Sequence, residues 1–216
     1  MNDAPTVLCY GDSNTHSLDV AMFGRLGRTV RWPGVLAAEL GPSAAVVEEG
    51  LNGRTTIWDD PFEEGRSGRA YLGPCLASHA PVGVLVIMLG TNDSKLSFHL
   101  GATEIANGAG ALVDLALRSG SGPDGGPPAV LLVAPPLLGP ATAYSELWGF
   151  GMSAATVARL ASLYRLVAET AGIAFLDAGP IATVDPEDGV HLDERGHRAL
   201  GLAVADAVRP LLAGRS

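Results

Sequence analysis

Apolar residues along this chain gather into short uninterrupted runs instead of alternating with polar ones. Four runs rich in Val, Ile and Leu stand out, Thr6–Tyr10, Ala44–Glu49, Val82–Leu89 and Ala129–Ala134, and Ile173–Leu176 is a fifth candidate. A strand with one wet face alternates, whereas a strand covered on both faces of a parallel sheet stays apolar throughout, so these runs predict a buried parallel sheet. Helical patterns lie between them. Trp32–Leu40 carries Pro33 in its first turn and stops at Gly41-Pro42; Thr103–Arg118 carries apolar Ile105, Leu112 and Leu115; Ser153–Ala171 ends at Gly172; Asp193–Leu212 closes the chain. The alternation predicts an α/β fold, a three-layer α/β/α sandwich around about five parallel strands joined by right-handed crossovers.

The longer irregular stretches are Ser17–Arg31, Gly53–Arg69 and Pro135–Gly151, and the Gly- and Pro-rich Ser119–Pro128 reads as a surface loop before a strand. Nothing in the 216 residues marks a boundary, so one domain over 1–216 is expected. In an open α/β sheet, ligands sit beyond the carboxyl ends of the strands. The loops that follow strands are therefore where chemistry is to be sought.

Composition narrows the function classes. Hydrophobic residues make up 47% and charged residues 17%, enough to fill a core. The formal net charge is -9, and Arg25, Arg28, Arg31, Arg54, Arg66 and Arg69 read as scattered among turns, which argues against a nucleic acid or an anionic membrane as partner. The two cysteines, Cys9 in an apolar run and Cys75 in a predicted helix, lack CxxC spacing and a companion His cluster, so both are expected as reduced, packed thiols with no metal bound and no cofactor implied. No apolar run approaches the ~20 residues of a membrane helix, and the N-terminus lacks the pattern of a secretory signal, which points to the cytoplasm.

Four blocks carry candidate chemistry. The first strand runs into Gly11-Asp12-Ser13-Asn14, placing a hydroxyl at a strand's carboxyl end; read alone, Ser13 serves equally as a turn or capping serine. Gly50-Leu51-Asn52-Gly53-Arg54 follows the second strand and offers a backbone amide at Gly53. Gly90-Thr91-Asn92-Asp93 follows the third and offers the Asn92 amide, or simply turn chemistry. Near the C-terminus, Asp188-Gly189-Val190-His191 has the spacing that lets a carboxylate reach the imidazole Nδ1 and leaves Nε2 free to take a proton from a serine. Each signal is weak alone; their joint arrival at one end of a sheet is not.

These blocks, in this order and spanning nearly the whole chain, resemble those of the SGNH hydrolases of the GDSL lipase/esterase group. Glu48-Glu49-Gly50-Leu51 with Arg54-Thr55-Thr56, Ile87 through Asp93, and Ala134-Pro135-Pro136 bring the chain nearer to the bacterial arylesterase and acyltransferase branch. The resemblance implies a flavodoxin-like SGNH hydrolase fold, an esterase acting on small acetyl-type esters, Ser13 as nucleophile, His191 as base, Asp188 as its orienting group, and an oxyanion hole built from Ser13, Gly53 and Asn92. It also implies a homo-oligomer and possible acyl transfer to alcohols in place of water. Two departures stand out: Asn14 replaces a usual Leu, and His16 and Leu18 occupy places where this branch tends to have tryptophans.

His16, Leu18, Trp58 and Trp148 are the candidate substrate-binding residues. Tyr144 and Phe150 belong to the same overhanging segments, and the aromatic residues there suit either an acyl pocket or a subunit interface. Asp12 and Asp93 are expected to support turns, His197 to lie on the surface of the last helix, and His16, His79 and His99 to lack a carboxylate at telling spacing. Three other readings stay open: a dedicated alcohol acyltransferase using the same residues, a nucleotide- or sugar-binding module, and metal-assisted hydrolysis through Asp185, Glu187, Asp188 and His191.

Overall fold

In the computed structural model, which describes residues 4–19 and 24–214, five parallel strands form the central sheet. They are β1 (Thr6–Gly11), β2 (Ala45–Gly50), β3 (Val82–Met88), β4 (Ala129–Ala134) and β5 (Ala174–Asp177), in the spatial order β2-β1-β3-β4-β5. The continuously apolar runs behave as expected: every residue of β3 is buried, while the edge strand β5 is only partly covered. Five longer helices supply the cover: α1 (Trp32–Leu40), α2 (Gly68–His79), α3 (Ala102–Leu117), α4 (Leu160–Ala171) and α5 (Glu194–Ala213).

Strand pleating sends alternate side chains to opposite cores. Leu8 and Tyr10 of β1, with Leu85 and Ile87 of β3, pack with residues of α2, α3 and α4, among them Leu72, Leu76, Ile105, Leu112 and Tyr164. Val7 and Cys9, with Val84, Val86 and Met88, meet Trp32 and Leu36 of α1 and Leu200, Val204 and Val208 of α5. Full burial of one such aliphatic side chain contributes about 1.5–3 kcal/mol. A charge at Val86, fully buried in the central strand, would break the second core.

Two expectations about local structure are corrected. The helix predicted over Ser153–Ala171 is interrupted, forming a single turn at Ala154–Val157 and then α4. The Arg159 N–H bonds back to Thr156, three residues away, so the chain tightens before it resumes as an α-helix. The three arginines of the Ser17–Arg31 stretch are not scattered, because Arg25, Arg28 and Arg31 all reach the Glu48 carboxylate of β2. That stretch also contains an antiparallel pairing of Leu18–Asp19 with Gly24–Arg25; its numbers 20–23 lie outside the described residues.

The strand order places β1 between β2 and β3, so the connections leaving β1 and β3 diverge to opposite sides of the sheet. A crevice forms at such a switch point, beyond the carboxyl ends of the strands. The Ser13, Gly53 and Asn92 blocks follow β1, β2 and β3, the three adjacent strands around it.

Candidate active site

Ser13 opens a one-turn helix, Ser13–His16, directly after β1. The Asp12 carboxylate caps that turn by accepting the Asn14 amide at 2.9 Å. Burial pushes the Asp12 carboxyl up to about 6, against the lowering effect of that hydrogen bond. Ser13 is nearly buried, at 7% exposure.

Opposite it, His191 stands just before α5. Its Nε2 lies 2.9 Å from Ser13 Oγ, and its Nδ1 lies 2.5 Å from Asp188 Oδ2. The other Asp188 oxygen accepts the Val190 amide at 2.7 Å and the His191 amide at 2.9 Å. The fully buried carboxylate is thus held by three donors, and the sequence spacing forms a closed turn around it. With Nδ1–H donating to Asp188, Nε2 presents its lone pair to the serine hydroxyl.

A side chain absent from the expected constellation fixes this geometry. Asn14 donates from Nδ2 to the Val190 carbonyl at 3.3 Å and accepts the Leu192 amide on Oδ1 at 2.8 Å. It therefore grips the backbone on both sides of His191. The residue that departs from the usual first block joins the Ser13 turn to the His191 loop, a contact over more than 170 positions that no local pattern announces.

The loop after β2 is tied to the same strand end. The Leu51 amide donates to the Gly11 carbonyl at 3.1 Å, and Arg54, 3% exposed, donates from Nη1 to the same carbonyl at 2.9 Å and to the Glu49 carbonyl. The Arg54 guanidinium covers the Tyr10 ring at 4.2 Å. Gly53 lies between these anchors with φ +75°, a left-handed conformation that strains a residue with a side chain.

Asn92 and Asp93 follow β3. Asn92 donates from Nδ2 to the Arg54 carbonyl at 3.1 Å, which orients its amide beside the Gly53 loop. The fully buried Asp93 receives the Thr56 amide at 3.0 Å and the Thr56 hydroxyl. Burial raises its carboxyl to about 6 while the Thr56 bonds oppose that shift. Upstream, Gly90 adopts φ +119° directly under the Tyr164 hydroxyl, which donates to the Leu89 carbonyl at 2.8 Å; a Cβ at Gly90 would come within 2.3 Å of that hydroxyl.

Of the four substrate-binding candidates, Trp148 meets the imidazole directly, edge-on to His191 with centroids 5.6 Å apart, and Tyr144 stacks on Trp148. His16 turns to the Gly50 backbone, where burial and the nearby Arg25 lower its pKa. Leu18 lines an open cleft of about 400 Å³ with Leu26, Leu192, Asp185 and Asp193. Trp58 is half-buried, and its carbonyl accepts the Thr55 hydroxyl at 2.5 Å. Phe150 is buried beneath the Lys95 ammonium. Asp185 and Glu187 close a local turn, with Asp185 accepting the Glu187 amide at 2.8 Å.

His197 corrects an expectation. Placed on the surface by its position beside Gly196, it is 1% exposed, and its Nδ1 accepts the Trp32 amide at 3.3 Å, tying α5 to the start of α1. Burial depresses its pKa to about 4. His79 is the other: its Nε2 lies 2.9 Å from Glu49 Oε1, a carboxylate 30 positions away.

A search against family profiles matches residues 9–199 to the GDSL-like Lipase/Acylhydrolase family, and the chain belongs to that family, as an SGNH-type carboxylic ester hydrolase of the arylesterase branch. Among solved structures it is similar to the native aryl esterase of M. smegmatis, at 40% identity over 97% of this chain and 100% of that one, with a TM-score of 0.90. It is also similar to Est24, a carbohydrate acetylesterase from Sinorhizobium meliloti, at 40% identity over 96% and 99% of the two chains, with a TM-score of 0.89. A lipolytic G-D-S-L family member from Veillonella parvula, 18% identical with a TM-score of 0.69, shares the fold. Comparison with curated proteins returned no significant match.

Proposed function

We propose that the protein hydrolyses small acyl esters, acetyl esters foremost, through an acyl-Ser13 intermediate. The unbroken hydrogen-bond chain from Ser13 Oγ through the His191 ring to Asp188 carries this reading. A serine hydroxyl is a weak nucleophile at neutral pH and needs a base within hydrogen-bond reach. As Oγ attacks the ester carbonyl, its proton moves to His191 Nε2, and Asp188 stabilises the imidazolium that results. The oxyanion is received by the Ser13 and Gly53 amides and the Asn92 side chain. Collapse expels the alkoxide, which takes the proton from Nε2. Water then attacks the acyl-serine, giving its proton to His191, and the acid leaves as Ser13 recovers its hydrogen.

Similarity to the M. smegmatis aryl esterase and the S. meliloti carbohydrate acetylesterase favours acetyl and aryl groups as the two halves of the substrate. Transfer to an alcohol uses the same intermediate and competes with water. The Trp148 edge beside His191 supplies apolar surface for such an acceptor, while His16 turns its ring to the Gly50 backbone. Transfer is accordingly a minor outcome beside hydrolysis.

A fluorophosphonate probe followed by mapping of the modified peptide tests the reading, with Ser13→Ala as control. Labelling at Ser13 together with loss of aryl acetate hydrolysis in the variant is expected. Full turnover by Ser13→Ala, or a label elsewhere, would overturn it. Supplying benzyl alcohol and measuring benzyl acetate against free acetate at early times gives the transfer ratio.

A further inference from the structure

Away from the triad, the edge of the sheet carries a second group of chemically active side chains. Glu49 leaves the end of β2, while Cys75 and His79 lie four residues apart on one face of α2. One carboxylate oxygen, one sulfur and one imidazole nitrogen all lie within 4.8 Å of one another. We propose that Glu49, Cys75 and His79 form a site for a zinc-like divalent cation, with its remaining coordination position open to solvent.

The donor set selects the ion. Thiolate and imidazole favour zinc and its neighbours among the transition metals over magnesium or calcium, which prefer oxygen alone. Around a tetrahedral zinc, ligand atoms sit about 3.5 Å apart. The Glu49–His79 pair stands at 2.9 Å and all three donors lie within 4.8 Å of one another, so modest rotation of side chains brings them to that spacing. Three protein ligands leave one position for water, and the site has access to it, since Glu49 and His79 are partly exposed whereas Cys75 is buried.

The surroundings fit a metal better than a simple ion pair. Tyr71, one helical turn before Cys75, interacts with both Glu49 and Cys75, the position from which an outer residue orients ligands. A cation binds the sulfur as thiolate, so the thiol proton is displaced when the ion enters. The Glu49–His79 ion pair alone gives Cys75 no part in the cluster.

The test is a cobalt titration of the metal-free protein. One equivalent is expected to raise a near-ultraviolet thiolate-to-cobalt band, to release protons, and to be displaced by zinc. Cys75→Ser and His79→Gln are each expected to lose the band while retaining ester hydrolysis, and Tyr71→Phe to weaken binding by about tenfold. Absence of the band in the wild type, or its persistence in Cys75→Ser, would overturn the proposal. A second measurement stands if these variants fail to fold: in the wild type, zinc is expected to slow alkylation of Cys75 relative to Cys9, which faces the opposite core. An unchanged ratio would likewise overturn the site.

Discussion

His191 and His197 are six positions apart, and both are nearly sealed from solvent, yet the fold puts them to opposite uses. His191 meets a carboxylate at one nitrogen and a hydroxyl at the other, so each nitrogen has a partner that can give or take a proton. His197 accepts a backbone amide from Trp32 and has its charged form suppressed by burial. Burial alone does not make a histidine catalytic. The groups at its two nitrogens decide, and they come from distant parts of the chain.

The comparison is broken most severely at His191. Replacing it with Ala removes the proposed base while leaving Ser13 and the proposed oxyanion donors, and a loss of kcat on the order of 10⁴-fold or more is expected with aryl acetates. Less than a hundredfold loss would mean that His191 is as passive as His197. Asn92→Ala should lower kcat by about 10²–10³-fold with little change in KM, since an oxyanion donor acts chiefly in the transition state. Steady-state kinetics showing a rise in KM alone would reassign Asn92 to substrate binding.

A smaller effect is expected from Asn14→Leu, which restores the residue usual in the first block. It frees the backbone on both sides of His191, and kcat should fall by about three- to tenfold while the melting temperature also drops, because the Leu192 amide is left buried without its partner. Unchanged kcat would show that the histidine's loop needs no such grip.

His197→Asn should have the smallest effect on turnover and a clear one on stability. The folded pKa of about 4 lies below the value of about 6.5 for an unfolded chain, so between those values the unfolded state binds more protons. Stability contributed by neutral His197 is therefore complete above about pH 6.5 and falls as pH drops toward 4, by at most about 3 kcal/mol. The raised carboxyls of Asp12 and Asp93 act in the opposite sense, losing stability as pH rises from about 4 to 6. Urea unfolding at pH 7 and pH 5 should thus show a variant less sensitive to acid than the wild type, with kcat nearly unaltered. An equal loss in both would remove His197 from the titration.

Much of this was legible before any coordinates. Apolar runs marked the strands because a doubly covered sheet leaves no polar position, and turn residues at the strand ends marked the loops of Ser13, Gly53 and Asn92. Asp188 and His191 were legible because their contact is local. The roles of Asn14, Arg54 and His197 were not legible because their partners, at Val190, Gly11 and Trp32, are 43 to 176 positions distant. Arg54 in particular reads as one more loop arginine until Tyr10 is seen beneath it. Glu49 and His79 lie on different elements, so no spacing rule brings them together.

The 178 positions between Ser13 and His191 have a consequence for how activity arises during synthesis. Ser13 and the other two proposed oxyanion donors, Gly53 and Asn92, leave the ribosome with the first three strands, but the proposed base arrives only with the turn before α5. A growing chain that has reached β4 holds the acyl-accepting half of the machinery and cannot use it. Ester cleavage therefore reports that the last helix has docked, and a chain divided in the Ser119–Pro128 loop should stay silent until its two pieces meet.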